Sequence, residues 1–234
     1  MKYVLSRSIA LCLTAALATS ASADPILVNP PNRSAAAVVT ADNHYAIYTG
    51  IDTNITLIGR NELGAGGSAG TYNWSRPETW SFVAGDFLYL AGWSDDAVAQ
   101  GLLAQITVGG LSYHSGDSRW QVYKTGQNKG TNSPAPTGDD IEVQVGIANS
   151  GNLWASPYVG GNNGISPWSI IPGIASNIPW MWANSPNKSN PLLGGSAEGE
   201  YLLFRMAVPT SGTAAVFGLG LLLAARRRRN HAEA

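Results

Sequence analysis

The sequence predicts an all-β fold, an antiparallel β-sandwich, for the part of the chain that lies between two unusual ends. Short runs of β-branched and aromatic residues recur along this part, and Gly, Asn, Asp and Pro separate them. No stretch of convincing length has the apolar spacing of an amphipathic helix. Roughly nine such runs in one domain-sized region are typical of a sandwich, with helix expected mainly at the two chain ends.

The predicted strands differ in how many of their faces are apolar. Residues 86–93 are apolar on both faces, which predicts a central strand that is covered on each side. Residues 141–147 alternate strictly, which predicts a strand with one buried face. Residues 62–71 and 125–140 are predicted loops, because Gly, Ala, Asn, Ser and Pro concentrate there. The other predicted strands are residues 37–40, 44–49, 54–58, 79–83, 102–108, 119–123 and 200–206.

The N-terminus has the three parts of a secretory signal peptide. Lys2 and Arg7 supply positive charge, an apolar run follows, and small residues end at Ala23. This order predicts a helical signal peptide over residues 1–23, so that cleavage by a signal peptidase makes Asp24 the first residue of the mature protein. The protein is therefore expected to be exported.

The mature domain, predicted to span residues 24–207, has a composition that excludes several functions. The only cysteine is Cys12. It leaves with the signal peptide, so disulfides, thiol catalysis and Cys-ligated zinc are excluded. The net charge of the domain is near −6, while the whole chain sums to −1 because four arginines close to its end and two basic residues in the signal peptide lie outside the domain. A mildly acidic domain without a basic stripe is not expected to bind nucleic acid.

An apolar stretch near the C-terminus is preceded by a Val-Pro pair and followed by four arginines. This order resembles the PEP-CTERM sorting signal of Gram-negative bacteria, which an exosortase cuts. The resemblance implies a sorting or anchoring segment with a hydrophobic helix at residues 208–230, and an exosortase-like processing enzyme as partner. The predicted sorting-signal residues are Val208, Pro209, Thr210, Arg226, Arg227, Arg228 and Arg229. Thr210 and Ser211 stand where the family usually has Glu and a second Pro.

A plain membrane anchor is the alternative interpretation of this segment. The apolar stretch at residues 213–225 is shorter than the roughly 20 residues that a helix needs to cross a bilayer. The run from Met206 to Ala225 just reaches that length, and the arginines after it would stay on the cytoplasmic side. Both interpretations place a precursor in the inner membrane. Only the sorting signal then releases the protein to the cell surface or the extracellular space.

The middle of the chain carries a second resemblance. Residues 40–48 read Thr-Ala-Asp-Asn-His-Tyr-Ala-Ile-Tyr, residues 101–106 read Gly-Leu-Leu-Ala-Gln-Ile, and residues 117–122 read Asp-Ser-Arg-Trp-Gln-Val. Their order resembles galactose-binding-like jelly-roll modules, such as those accessory to glycoside hydrolases. The resemblance covers residues 38–205 in short pieces, and it implies a jelly roll that binds carbohydrate.

No motif supports catalysis. Residues 66–70 match the nucleophile elbow around Ser68, but the helix that must follow that strained turn is missing from the pattern. Adjacent residues on a strand point to opposite faces, so Asp95 and Asp96 cannot form a glycosidase carboxylate pair with each other. The sequence therefore predicts no enzyme. Asp42, Asp95 and Asp96 are candidate ligands of a structural Ca²⁺ ion, and no other cofactor is expected.

The eight tryptophans are the most informative side chains. The apolar C–H face of a sugar complements an aromatic ring, so exposed aromatic residues are candidate sugar platforms. Trp74 and Trp154 stand among Asn, Ser, Gly and Pro, and Tyr158 is close to the second. These three are the predicted carbohydrate-binding residues. The tryptophans predicted to lie in the core are Trp80, Trp93, Trp120, Trp180 and Trp182.

These observations favour a non-catalytic exported protein of the cell surface or extracellular matrix that binds polysaccharide. An alternative is a structural, self-associating matrix component without a specific ligand. A third interpretation is a secreted glycoside hydrolase, which needs a cleft with converging carboxylates. An exposed aromatic patch on the sandwich favours binding, whereas complete burial of every tryptophan favours the structural alternative.

Replacing the four arginines at residues 226–229 with serine is expected to let uncut precursor escape the membrane. Bringing one arginine to the bilayer centre costs at least about 2.5 kcal/mol, and this cost disappears in the variant. Pro209→Ala is expected to keep the membrane stop and to block cutting. Mass spectrometry of the released protein checks both. An intact tail peptide on released mature protein would rule out the sorting signal, and a tail found only in membrane fractions would indicate the plain anchor.

Overall fold

A computed structural model describes residues 33–61, 73–95, 97–130, 133–194 and 200–209. All of these residues belong to one compact unit. The predicted signal peptide lies outside the described residues, as does the predicted sorting segment from Thr210 onward. No helix within the described part of the chain is long and apolar enough to cross a membrane.

Eleven strands and one helix make up the described secondary structure. The strands are β1 (Ser34–Asp42), β2 (His44–Ile51), β3 (Asn54–Arg60), β4 (Glu78–Val83), β5 (Phe87–Trp93), β6 (Gly101–Val108), β7 (Leu111–His114), β8 (Gln121–Asn128), β9 (Tyr158–Asn162), β10 (Pro179–Trp182) and β11 (Glu200–Ala207). The helix, α1 (Gly138–Gly151), lies between β8 and β9 in the chain.

The strands form two sheets. The first sheet has the order β4-β1-β6-β10-β9, and β7 also pairs with β6. The second sheet has the order β3-β2-β5-β11-β8. Every pairing between these strands is antiparallel. The structure therefore confirms the predicted all-β antiparallel sandwich.

An inner core joins the two sheets. Val39 and Ile106 of the first sheet belong to the same buried cluster as Ile47, Leu90 and Phe204 of the second sheet. Successive side chains of a strand point to opposite faces, so each of these strands gives the inner core every second residue. Burial of apolar surface in this core is the main driving force of the fold.

Strand β5 is covered on both faces, as its sequence predicted. Leu88 and Leu90 belong to the inner core, whereas Tyr89 and Ala91 belong to a second buried cluster on the other face of the second sheet. This second cluster, called the outer cluster below, also contains Ile141 of helix α1. A strand that is apolar on both faces therefore has an apolar partner on each.

The prediction of a strand at residues 141–147 is wrong, because these residues lie within α1. Residues 141, 144, 145 and 148 are the buried ones, and this is the spacing of one helix face. Val143 and Ile147, which the alternating pattern would have buried, are exposed. Helix is thus not confined to the chain ends, and the predicted loop at residues 125–140 contains both the end of β8 and the start of this helix.

A capping box starts the helix. The Thr137 hydroxyl accepts a hydrogen bond from the Asp140 amide at 3.1 Å, and the Asp140 carboxylate accepts one from the Thr137 amide at 2.8 Å. Both bonds satisfy amide groups that the first helical turn leaves without a partner. The helix is further tied to the second sheet, because the Glu142 carboxylate accepts a hydrogen bond from the amide of Ile55 in β3 at 2.8 Å.

Thr137→Ala is expected to lower the free energy of unfolding by about 1 kcal/mol, because it removes the capping hydroxyl. Thr137→Ser keeps a hydroxyl at the same position and is expected to unfold close to the wild type. Urea unfolding followed by tryptophan fluorescence measures both variants. An equal loss in the two variants would contradict the capping role.

Candidate functional site

A cleft of about 340 Å³ opens at one end of the sandwich. Its volume falls in the range of small-molecule binding sites. Four separate chain segments converge on it: the end of β1, the turn before β4, the loop from β5 to β6, and the segment before β10. The lining residues are Asp42, Asn43, Trp74, Asp95, Ala97, Val98, Ala99, Pro167 and Trp168. This cleft is called the Asp42 cleft below.

Asn43 organises the cleft through its side-chain amide. Its Oδ1 accepts hydrogen bonds from the Ser94 hydroxyl at 2.9 Å and from the Asp95 amide at 2.7 Å. Its Nδ2 donates to Asp42 Oδ1 at 3.2 Å, and its carbonyl accepts from Asn61 Nδ2 at 2.8 Å. Asn43 links β1 of the first sheet to β2 of the second, so these bonds attach the β5–β6 loop to the place where the chain changes sheets.

The β5–β6 loop is also held from its other side. The Gln100 amide donates to the carbonyl of Leu192 at 2.8 Å, and its side chain donates to the carbonyl of Pro191 at 2.8 Å. The Gly194 amide donates to the carbonyl of Val98 at 2.8 Å. These bonds hold the loop at Val98 and Gln100, while the bond to Asn43 holds it at Asp95.

Trp168 forms an almost completely buried wall of the cleft, with 2% of its surface exposed. Its ring stacks on Trp180 with the centroids 4.1 Å apart, and its Nε1 donates to Asp42 Oδ2 at 2.8 Å. This packing depends on Gly101, because a Cβ there would lie 2.9 Å from a ring carbon of Trp180 and 3.4 Å from one of Trp168. The absence of a side chain at Gly101 therefore gives the two indoles their space.

Trp74 is the half-buried aromatic residue of the cleft. Its carbonyl accepts a hydrogen bond from the Thr40 hydroxyl at 2.6 Å, which ties its turn to β1. The turn itself is closed by Asn73, whose Oδ1 accepts from the Ser75 amide at 3.0 Å. Trp74 also packs against the inner core. Trp74 is thus a half-buried tryptophan that packs against the core and also lines the cleft.

The electrostatics of the cleft are set by Asp42 and Asp95. The pKa of Asp42 is raised from 3.8 to about 6. Burial is the largest cause, the hydrogen bond from Trp168 opposes it, and the nearby negative charge of Asp95 adds to it. A buried carboxylate with a displaced pKa in a cleft is a common mark of a functional site.

The structure brings together only part of the predicted site. Trp74, Asp42 and Asp95, which the sequence singled out separately, line one cleft. Asp96 lies outside the described residues. Trp168 completes the cleft and was not predicted as a site residue, although it stands in an Asn/Gly/Pro-rich stretch of the same kind that drew attention to Trp74.

Trp154 lies elsewhere, at the edge of the outer cluster. The Arg205 guanidinium sits 4.0 Å from its ring centroid, and the ring of Tyr123 meets it edge-on at 6.1 Å. Its Nε1 donates to Asn149 Oδ1 at 2.8 Å, an oxygen that also accepts from Arg205 Nη1 at 2.7 Å. Tyr158 lies in β9 and packs against the inner core instead. The three predicted platforms therefore do not form one surface.

Four of the five tryptophans predicted for the core are buried there. Trp80 is the exception: it is half-buried, and its Nε1 donates to the hydroxyl of Tyr45 at 2.8 Å. The buried ones are Trp93, Trp120, Trp180 and Trp182.

A second cleft of about 530 Å³ lies beside β8 and the end of α1. Its lining is largely apolar, and Lys124 is its one charged residue. It therefore offers fewer groups that could orient a polar ligand than the Asp42 cleft does. The lining residues are Val122, Tyr123, Lys124, Leu153, Ala155, Ser156, Ala183, Asn184 and Pro186.

The oxygen-rich Asp42 cleft is also where a metal ion would have to bind. Both Asp42 oxygens already accept hydrogen bonds from N–H groups, one from Asn43 and one from Trp168. Among the residues that the structure describes, no three His, Cys, Asp or Glu side chains group as metal ligands do. Of the three candidate calcium ligands, Asp42 and Asp95 lie together here, and the calcium site stays a prediction.

No protein-family model, no curated protein and no solved structure matches this chain. The site is therefore assigned from its own geometry and chemistry.

Asp42→Asn is expected to remove the pH dependence that Asp42 gives to the stability of the fold. The raised pKa means that the native state holds the Asp42 proton more tightly than the unfolded chain, so stability falls as the pH rises from about 4 to about 6 and the full penalty persists above that. The variant carries no charge, so its free energy of unfolding relative to the wild type should be about 1 to 3 kcal/mol higher near neutral pH than below pH 4. Its amide NH2 cannot accept one of the two N–H hydrogen bonds that Asp42 accepts, so a loss that is common to both pH values is expected as well.

Below about pH 4, where native and unfolded states both carry the proton, only the loss of this hydrogen bond should remain, and the relative gain near neutral pH should be absent. Urea unfolding at the two pH values measures it. Asp139→Asn, which changes an exposed carboxylate in the first turn of α1, is the control and should show no such pH-dependent gain. A loss of the same size at both pH values would contradict the strained state of Asp42.

Proposed function

We propose that this chain is a non-catalytic exported protein of the cell surface or extracellular matrix that binds polysaccharide in the Asp42 cleft. The observation that carries the proposal is the half-buried Trp74 beside two carboxylates, Asp42 and Asp95, in one cleft of suitable size. A pyranose ring has an apolar C–H face and a rim of hydroxyl groups. An aromatic face beside hydrogen-bond acceptors matches both.

Each polar group of the cleft has capacity left for a ligand. A carboxylate oxygen has two lone pairs, and each Asp42 oxygen accepts one hydrogen bond within the protein. Asp95 is exposed, and its carboxylate accepts a hydrogen bond from the Ala97 amide at 3.1 Å. Sugar hydroxyls can therefore donate to both residues without displacing a bond that holds the cleft together.

A secreted glycoside hydrolase is the second candidate, because two carboxylates do converge in this cleft. One of them has a raised pKa, as a general acid has. One feature argues for binding instead. The hydrogen bonds that Asn43 and Trp168 donate to Asp42 favour its ionised, accepting form over the protonated form that a general acid needs.

The end of the described fold supports the proposed processing of the tail. Strand β11 ends at Ala207, and the Val208 amide still donates to the carbonyl of Asp86 at 2.8 Å. A cut after Pro209 would therefore leave every described strand intact. In this proposal a signal peptidase and an exosortase-like enzyme act at the two ends, the inner membrane holds the precursor, and the sandwich is the jelly roll that the resemblance implies.

Trp74→Ala is expected to weaken polysaccharide binding by about tenfold or more, because stacking on one aromatic face contributes roughly 1.4 kcal/mol. A glycan array followed by calorimetry on the best ligand measures the change. Trp154→Ala is the matched control, since Trp154 lies away from the cleft and should leave binding unchanged.

The pattern of losses decides between the candidates. Loss in Trp154→Ala rather than Trp74→Ala would move the site to the outer cluster. A wild-type protein that binds no glycan and self-associates would support the structural alternative. Shortened oligosaccharides in the binding mixture, absent with Asp95→Asn, would show a hydrolase.

A further inference from the structure

We propose that the Asp42 cleft selects a cationic sugar, a hexosamine unit with a free amino group, over neutral and acidic sugars. This inference rests on the proposed function and names the class of polysaccharide that the same site takes. The observations behind it are the unbalanced charge of the lining residues, the position of the two carboxylates and the half-buried Trp74 beside them.

Among the residues that the structure describes, those that line the cleft carry two negative charges and no positive one. The turn that presents Trp74 also contains Arg76, but that side chain is exposed and does not line the cleft. A uronate or sulfated sugar would bring a third negative charge to this place. Like charges repel strongly at a partly desolvated site, so acidic polysaccharides are excluded.

The two carboxylates also destabilise each other. The charge of Asp95 contributes to the raised pKa of Asp42, and burial contributes more. An ammonium group placed beside them would relieve both effects, because it pairs with the carboxylates and replaces part of their lost hydration. A hydroxyl that donates to a carboxylate also makes a charge-assisted hydrogen bond, but an ammonium group adds the attraction between opposite unit charges, which is stronger at a partly desolvated site than in water. A free amine therefore gains more here than a hydroxyl does.

Trp74 favours the same ligand for an independent reason. An indole face attracts a cation through its negative quadrupole, and it also stacks on the C–H face of a pyranose. A hexosamine presents both groups on one ring. Val98, which is 74% exposed at the rim of the cleft, adds apolar surface against which a neighbouring sugar of a chain can lie.

A bare metal ion fits the cleft less well than an ammonium group. Calcium takes about six to eight oxygen ligands, which several carboxylates and carbonyl groups have to supply together. Here each Asp42 oxygen already has an N–H donor, and no third carboxylate lines the cleft among the described residues. An ammonium group has only three N–H donors to place, and the two carboxylates can accept them.

The test compares three oligosaccharides of equal length by calorimetry on the mature protein: a glucosamine oligomer, its N-acetylated form and a uronate oligomer. We expect the glucosamine oligomer to bind at least about tenfold more tightly than the N-acetylated one, and the uronate oligomer not to bind. Asp95→Asn should reduce this preference at least about threefold, because only the Asp42 carboxylate is left to pair with the amine, and it should weaken binding of the N-acetylated oligomer by a smaller factor. Asp95 is exposed, so this variant is expected to fold.

The control separates the cleft from the general negative charge of the domain. Asp139→Asn removes one exposed carboxylate outside the cleft and should keep the full preference. A preference that falls equally in both variants would overturn the proposal, because it would reflect unspecific attraction. So would equal binding of the two glucosamine forms, which would leave the proposed function standing.

Two further results of these binding measurements would overturn a proposal. Calcium that binds alone, with loss in Asp95→Asn, and that displaces the glucosamine oligomer would make the cleft a metal site and overturn the sugar assignment. Absence of binding by any oligosaccharide, in a protein that unfolds cooperatively, would refute the proposed function itself.

Discussion

The side-chain amide of Asn43 holds together the end of the sandwich on which the candidate site depends. It sits where the chain passes from β1 of one sheet to β2 of the other, and it accepts the Asp95 amide from the loop by which β5 returns to the first sheet. The residue is buried, so each of its hydrogen bonds would cost about 1 to 3 kcal/mol if its partner were left unsatisfied. Because the same amide donates to Asp42, the bond network that joins the sheets also orients the acidic wall of the cleft.

The parts of the fold that could be predicted from the sequence are those whose burial pattern has only one structural explanation. Strand β5 is apolar on both faces and is packed on both faces. The prediction of a strand at residues 141–147 was wrong because Ile141 and Val145 are four residues apart, and this spacing fits one face of a strand and one face of a helix equally well. Two signals outside that window favour the helix: the Thr137–Asp140 capping box and the buried Ala148. Strand β9 contains Gly-Gly, so its extended form comes from pairing with β10 and was not visible locally.

The candidate site, like the fold, could be predicted from the sequence only in part. Local composition was enough to single out Trp74, Asp42 and Asp95, because each is an unusual residue for its surroundings. Their convergence could not be predicted, since it depends on which loops meet at one end of two sheets. The bond from Trp168 to Asp42 joins residues 126 positions apart, and nothing in either neighbourhood indicates it. The separation of Trp154 from the cleft could not be predicted either, because Arg205, which covers its ring, comes from a strand that is distant in the sequence.

The contact between Gly101 and the stacked indoles has a consequence for how this sequence can change over evolutionary time. A methyl group at position 101 would meet Trp180 at 2.9 Å, so the glycine and the tryptophan constrain each other. A descendant that keeps Trp180 must keep Gly101, whereas one with a smaller residue at position 180 can accept a side chain at position 101. The two positions should therefore diverge together rather than singly. The ring of Trp168 stacks on Trp180 and donates a hydrogen bond to Asp42. A paired exchange at positions 101 and 180 would therefore change the position of Asp42 in the cleft, and the proposed ligand preference would change with it.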